Sequence, residues 1–382
     1  MRRSIVLRLA PLLVAALAAT ACLPLHVRIL ASDDHAGREA GTPGGAAARA
    51  YLLDLLEPLT TGVVPSAVGR AAYQQRFPTG TNVLGLIEGT GHPDEVVVVG
   101  AHYDHLGLCG EPGDNDLICN GATDNATGVA LLLELAGRLA ADPPDRSVLL
   151  AFWDAEEKGL AGSRYFGAHP LVPVERIVTY VNVDLVGADL LPSLTNTSFA
   201  VGAETGGPAL VDAVQAAIDT TSLDVAQLSV IFGAGRSDHV AFIEREVPVV
   251  YFSDSTGGCY HTPGDEYEVV NFTKLARQDR IVEATVRALA DGGVTPTYRS
   301  TPLVTYDDLL GLLAVVERST GDLDRFPPEA RAVIVDGRAQ LEQLRGEGRG
   351  AFGDDDVLTT LLVALGFVDL LADQPCDGAA GS

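Results

Sequence analysis

Five apolar runs constrain this chain more than anything else in it: Asn82 to Glu88, Glu95 to Gly100, Ser147 to Trp153, Ile177 to Val183 and Val247 to Phe252. Each is short, rich in β-branched residues and bounded by Gly, Pro or Asp. None alternates with polar residues, so each reads as a strand covered on both faces. Segments of helical period lie around and between them: Ala46–Leu56, Ala126–Ala140, Leu160–Phe166, Pro208–Asp219, Asp238–Glu244 and Thr273–Ala290. Strands alternating with helices imply an α/β unit with a largely parallel sheet between helical layers. Beyond Gly292-Gly293, about 90 residues look wholly helical, with candidates at Tyr306–Glu317, Pro328–Arg345 and Asp355–Leu371. Packing on the core is the expectation for this extension.

Polar islands stand at or just past several of these runs, where an open α/β sheet delivers side chains into a cleft. They are Gly100-Ala101-His102-Tyr103-Asp104-His105, the turn Gly121 to Gly128 carrying Asp124, Asp154-Ala155-Glu156-Glu157, Val181-Asn182-Val183-Asp184 and Tyr260-His261. Taken singly, each has a plain structural explanation. Asp124 precedes a helix and suits an N-cap, paired glutamates are usually solvated charges, and a loop histidine says little. Asp184, however, would be an unpaired buried charge unless something neutralised it. As a set, imidazoles and carboxylates suit zinc, and a carboxylate between two ions about 3.5–4 Å apart can activate water and stabilise an attacked carbonyl. Of Glu156 and Glu157, one can bind metal while the other stays free to take a proton.

The remaining composition narrows the alternatives. With 26 Lys+Arg against 51 Asp+Glu, the chain carries a formal charge of −25 and only two lysines, Lys158 and Lys274. There is no basic stripe, which disfavours nucleic acid as a partner. No Gly-x-Ser-x-Gly elbow or phosphate loop occurs, and Ser237-Asp238-His239 is not a catalytic triad merely because its members are adjacent. Residues 1–21 carry Arg2-Arg3 and then an apolar stretch interrupted by Arg8 and Pro11, the pattern of an export signal and not of a membrane span. Ala19-Thr20-Ala21-Cys22 resembles a bacterial lipoprotein cleavage box, so secretion or a lipid anchor through Cys22 are both expected fates. Of the other cysteines, Cys109 with Cys119 would close a short polar loop and leave Cys259 with Cys376; four free thiols are the alternative.

Taken in order, the islands resemble those of metallopeptidase family 28, zinc-dependent exopeptidases that include aminopeptidases, glutamate carboxypeptidases and glutaminyl cyclases. The resemblance covers roughly residues 28–292 and includes the segment Leu30 to Arg38. It implies a mixed, mostly parallel sheet sandwiched between helices, with residues 293–382 as an added helical extension. It further implies two zinc ions: His102 and Asp184 on one, Glu157 and His261 on the other, and Asp124 bridging. Glu156 matches the general base and Asp104 the partner of His102, and a cis peptide is expected between Asp124 and Asn125. The expected activity is an exported aminopeptidase acting on peptides. Alternatives are a carboxypeptidase or glutaminyl cyclase of the family, or a catalytically silent peptide-binding lipoprotein of the envelope.

Two departures matter. Some relatives carry a tyrosine shortly before Ser-Asp-His, where this chain has Phe232-Gly233-Ala234-Gly235-Arg236, which leaves Arg236 and Tyr260 as candidate oxyanion or substrate contacts. The protease-associated insertion of many relatives is missing between Phe77 and Asn82.

Overall fold

The computed structural model describes residues 23–113 and 115–376; the expected signal segment and Cys22 lie outside the described residues. Eleven strands are assigned among the described residues: β1 (Thr61–Gly62), β2 (Gln74–Phe77), β3 (Gly80–Ile87), β4 (His92–His102), β5 (Gly107–Leu108), β6 (Ile118–Cys119), β7 (Arg146–Trp153), β8 (Ile177–Val183), β9 (Thr197–Val201), β10 (Asp224–Leu228) and β11 (Val249–Ser253). Nine form one sheet in the order β1-β3-β7-β4-β8-β11-β9-β10, with β2 paired to β3. Strands β7, β4, β8 and β11 make a parallel centre, whereas β3 joins β7 and β9 joins β11 antiparallel.

The unbroken apolar character of β4 follows from its position in the centre. Side chains alternate across a strand, and Val97, Val99 and Ala101 enter one hydrophobic core while Val96 and Val98 enter the other. The first core is closed by α1 (Leu23–Leu30), α2 (Pro43–Leu56), α3 (Thr127–Ala141), α5 (Pro208–Ile218) and α7 (Phe272–Ala290), and the second by α4 (Ala161–Ala168) and α6 (His239–Ile243). The chain is thus a mixed α/β sandwich, as expected. The helices lie within a few residues of their expected bounds. Helix α1 and strands β9 and β10 carry no clear sequence signal and emerge only in the structure.

The C-terminal helices α8 (Tyr306–Ser319), α9 (Pro328–Glu347) and α10 (Asp354–Ala372) pack on the β9–β10 side of the sheet. Leu309, Leu313, Ile334 and Phe367 share a third core with Phe199, Leu228 and Tyr251 of the strands. Asp308 in the first turn of α8 pins the junction: its Oδ2 accepts the Ser229 hydroxyl at 2.7 Å and the Thr305 hydroxyl at 2.7 Å. Disulfides join Cys109 to Cys119 and Cys259 to Cys376, the pairing in which the first bridge closes a short polar loop.

Candidate metal centre

The parallel strands end on one edge, and the polar islands start there. His102 closes β4 opposite Trp153 of β7, and Gly100 lies opposite Asn182 of β8. Asp184, one residue beyond β8, therefore stands level with His102. Past β7 and β8 the chain turns through Ala155 (φ 58) and Leu185 (φ 57), a left-handed conformation uncommon outside glycine. Asp154 braces the first turn by accepting the N–H of Thr81 at 2.6 Å and of Ala155 at 3.1 Å. The turn that carries Asp124 must open on glycine: Gly121, three residues earlier, has φ +55, and a Cβ there would lie 2.1 Å from the Asp124 carbonyl oxygen. The Asp124–Asn125 peptide is cis.

These turns gather two donor groups around one carboxylate. His102 Nε2 lies 3.1 Å from Asp124 Oδ1 and 3.2 Å from Asp184 Oδ1. On the other side, His261 Nε2 lies 3.3 Å from Asp124 Oδ2 and 3.1 Å from Glu157 Oε2. His105 Nδ1 is 2.7 Å from Glu157 Oε1 and 3.8 Å from Asp124 Oδ2. The sets His102, Asp124, Asp184 and His105, Asp124, Glu157 each bring their ligand atoms close enough to hold one ion, and they share Asp124. The sequence reading gives His105 no role, although it lies three residues after His102 in the same island. Repetition of the imidazole was the available signal.

The electrostatics fit a cation. Burial alone would lower the pKa of His102, but Asp184 and Glu156 outweigh it and hold the ring well above its ordinary range. His261 is likewise pushed up to about 10, with burial overcome by Asp124 and Glu157. Asp124 is held well below the carboxylate range because His105, His102 and His261 outweigh its burial. Imidazolium rings thus supply positive charge that this pocket of acids demands, the position a divalent ion would take. Buried His105 Nε2 and Asp104 Oδ2 also lack a hydrogen-bond partner. The donor set therefore suits zinc.

Asp104 stays beside His102 and also holds a second group. Its carboxylate stands 3.7 Å from His102 Nδ1, while its own backbone carbonyl oxygen is 3.1 Å from that nitrogen. The same carboxylate oxygen, Oδ1, also accepts the Glu156 N–H at 3.0 Å, fixing the backbone of the neighbouring acid. Glu156 is pushed up to about 10, first by burial and then by Asp238, Asp184 and Glu157, against the pull of His102. Bound cations would draw it back down.

Two buried groups organise the loops from behind. Arg38 donates to the carbonyls of Tyr103 at 2.9 Å, Leu30 at 2.8 Å, Asn120 at 2.5 Å and Gly121 at 2.9 Å, tying together the islands of His102 and Asp124. Burial lowers its pKa to about 10, opposed by Asp124 and Asp265, so it stays charged at neutral pH. Asp265, from the His261 loop, accepts the N–H groups of Thr123 and Asp124, both at 2.9 Å. Ser237 donates its hydroxyl to Asp184 Oδ2 at 2.7 Å, which gives the Ser-Asp-His segment a supporting place beside a candidate ligand. Asn125-Ala126-Thr127 has the form of a glycosylation acceptor, but Asn125 is buried and donates to the Val183 carbonyl at 2.9 Å, so the sequence is inaccessible.

A cavity of about 370 Å³ opens beside the centre, with Glu156, Glu157, Tyr260 and Arg236 among its lining residues. The Tyr260 ring stacks on His261 at 3.7 Å, and burial together with Asp124 and Glu157 raises its pKa, which keeps the phenol protonated. Arg236 is exposed.

The sequence profile of Peptidase family M28 matches residues 82–286. Aminopeptidase NAALADL1 of Rattus norvegicus is 39% identical over 112 residues, 28% of this chain and 13% of that protein. Aminopeptidase YwaD of Bacillus subtilis is 29% identical over 218 residues, 54% of this chain and 44% of that protein. The chain therefore spans less than half the length of either relative. A Zn-dependent exopeptidase from Parabacteroides distasonis matches the fold at TM-score 0.55 and 18% identity, over 73% of this chain and 98% of its own.

Proposed function

Because the chain belongs to peptidase family M28, we propose that it is an exported di-zinc aminopeptidase that releases N-terminal residues from peptides. The observation that carries this reading is the division of the Asp124 carboxylate, with Oδ1 beside His102 and Oδ2 beside His261. His102 and Asp184 would hold one ion, Glu157 and His261 the other, and Asp124 both; His105 is a further imidazole at the second position. Two divalent ions there would polarise a peptide carbonyl and ease the loss of a proton from water.

The chain's own residues supply the rest. Glu156, its backbone held by Asp104, takes a proton from the attacking water and returns it to the leaving amine. Tyr260, protonated at neutral pH, donates a hydrogen bond to the developing oxyanion. Arg236, which also lines the cavity, is a contact for the bound peptide. Glu156 and Glu157 line the cavity and attract a free terminal amine, and Arg236 is the only Lys or Arg among the lining residues, too few to favour a carboxylate end. Two disulfides, the N-terminal signal pattern and Cys22 support export, as a secreted protein or an envelope lipoprotein. No helix among the described residues is long and apolar enough to cross a membrane.

The test combines zinc analysis with turnover of leucine p-nitroanilide, free or N-acetylated. The expected result is nearly two zinc ions per chain, cleavage of the free substrate alone, and loss of cleavage in Glu156→Ala with zinc retained. Cleavage that survives in Glu156→Ala would sink the mechanism. Turnover of the blocked substrate but not the free one would sink the aminopeptidase assignment.

A further inference from the structure

The cavity beside the metal centre has two unlike walls. One belongs to the sheet, where Phe199 in the middle of β9 and Leu228 at the end of β10 share the lining with Glu156 and Glu157; the other is made by the C-terminal helices, through Leu312 and Val315 of α8 and Phe367 and Leu371 of α10. These helical side chains are almost fully buried, with Val315 and Leu371 each 1% exposed. They lie beyond residue 286, where the family profile ends. The helices also have little freedom to leave. Asp308 fastens α8 to Ser229, and the Cys259–Cys376 bridge, with Cα atoms 4.5 Å apart, fastens the chain just past α10 to the loop of His261.

We propose that α8 and α10 form the side-chain subsite of the enzyme, and that this subsite selects peptides whose N-terminal residue is large and apolar, of the leucine or phenylalanine type. This rests on the aminopeptidase reading above. A cavity of about 370 Å³ admits such a side chain together with the adjoining backbone. Glu156 and Glu157 fix which end faces the chemistry, because the free amine is drawn to the acids while the side chain extends toward Phe367. Arg236, the one cation of the lining, opposes an N-terminal Lys or Arg, and no group on the helical wall offers such a residue a counter-charge.

Two substitutions on the helical wall test this, neither at a residue placed in the chemistry. Ala364→Trp fills the cavity, and Val368→Asp puts a carboxylate on a half-buried part of its lining. On p-nitroanilides, wild type is expected to favour Leu and Phe over Ala and Lys by at least about tenfold in kcat/KM. Ala364→Trp should lower Leu and Phe turnover about tenfold and leave Ala unchanged, while Val368→Asp should raise Lys relative to Leu by a similar factor. Calorimetry on the zinc-loaded protein, with 4-methylpentylamine and ethylamine as probes, gives a readout independent of turnover. The longer amine should bind at least about tenfold tighter, and Ala364→Trp should abolish the difference. Normal turnover with neither preference moved by either variant overturns the subsite and spares the aminopeptidase reading. No turnover of any substrate, with the amine discrimination intact and sensitive to Ala364→Trp, does the reverse. Loss of discrimination between the amines in wild type overturns the subsite whatever the turnover.

Discussion

The carboxylate of Asp265 accepts the backbone N–H of Asp124 at 2.9 Å, so the loop that carries His261 also positions the carboxylate shared by both halves of the centre. The same side chain accepts the N–H and the hydroxyl of Thr123, at 2.9 and 2.8 Å. In Asp265→Asn an amide NH₂ would face one of these donors. Zinc affinity should fall by about 10–100-fold, read by competition with a chromophoric chelator, with secondary structure unchanged in circular dichroism. An affinity equal to wild type would mean that Asp124 holds its place without this support.

Arg38 should resist even its closest replacement. A lysine ammonium cannot reach four carbonyls spread over Leu30, Tyr103, Asn120 and Gly121. Arg38→Lys is expected to lower stability by about 3 kcal/mol, measured as a shift in the urea midpoint with the slope unchanged. A midpoint equal to wild type would show that the carbonyls find other partners.

Tyr260 touches the chemistry in the proposed mechanism without holding a metal. Tyr260→Phe should therefore retain zinc and KM while kcat falls by about 10–1000-fold. Unchanged kcat would pass the oxyanion role to Arg236, and a matched loss of zinc would mean that the ring's stacking on His261 is its main task.

A pH effect should come from His239, which is buried and stacked on Tyr251 at 4.8 Å. Burial pushes its pKa down from 6.5 to about 4, so between these values the unfolded chain binds the proton more readily. The contribution to stability is complete above pH 6.5 and is lost as pH falls toward 4. From pH 6.5 to 5 this amounts to about 2 kcal/mol. His239→Phe keeps the stacked ring and removes the titration. In chelator-treated protein, the stability difference between wild type and variant should change by that amount over this range. A constant difference would refute the assignment.

The sequence makes the middle of this molecule easy to read and its edge hard. Val96–Val99 and Val148–Trp153 are apolar on every position because both faces of a parallel centre are covered, a condition that leaves an unmistakable run. Strand β9 is just as buried, but it begins with Thr197 and Ser198. Ser198 satisfies its hydroxyl on the Ser253 carbonyl at 3.2 Å and accepts from Gln278 at 2.9 Å, partners that no local pattern reveals. The same holds at the metal centre. His102, Asp124, Glu157, Asp184 and His261 sit in ordered islands that can be recognised together. The hold of Asp265 on Thr123 crosses 142 residues of chain, and the carboxylate of Asp104, besides standing near the histidine two positions earlier, accepts the N–H of Glu156, 52 residues on.

The Cys259–Cys376 bridge joins residues 117 positions apart and encloses α7 through α10 in a covalent ring. A protease that nicks any exposed turn inside this ring leaves both new ends attached to the loop of His261. The helices can then be shed only after reduction, so the cavity keeps its full set of walls through a first cut.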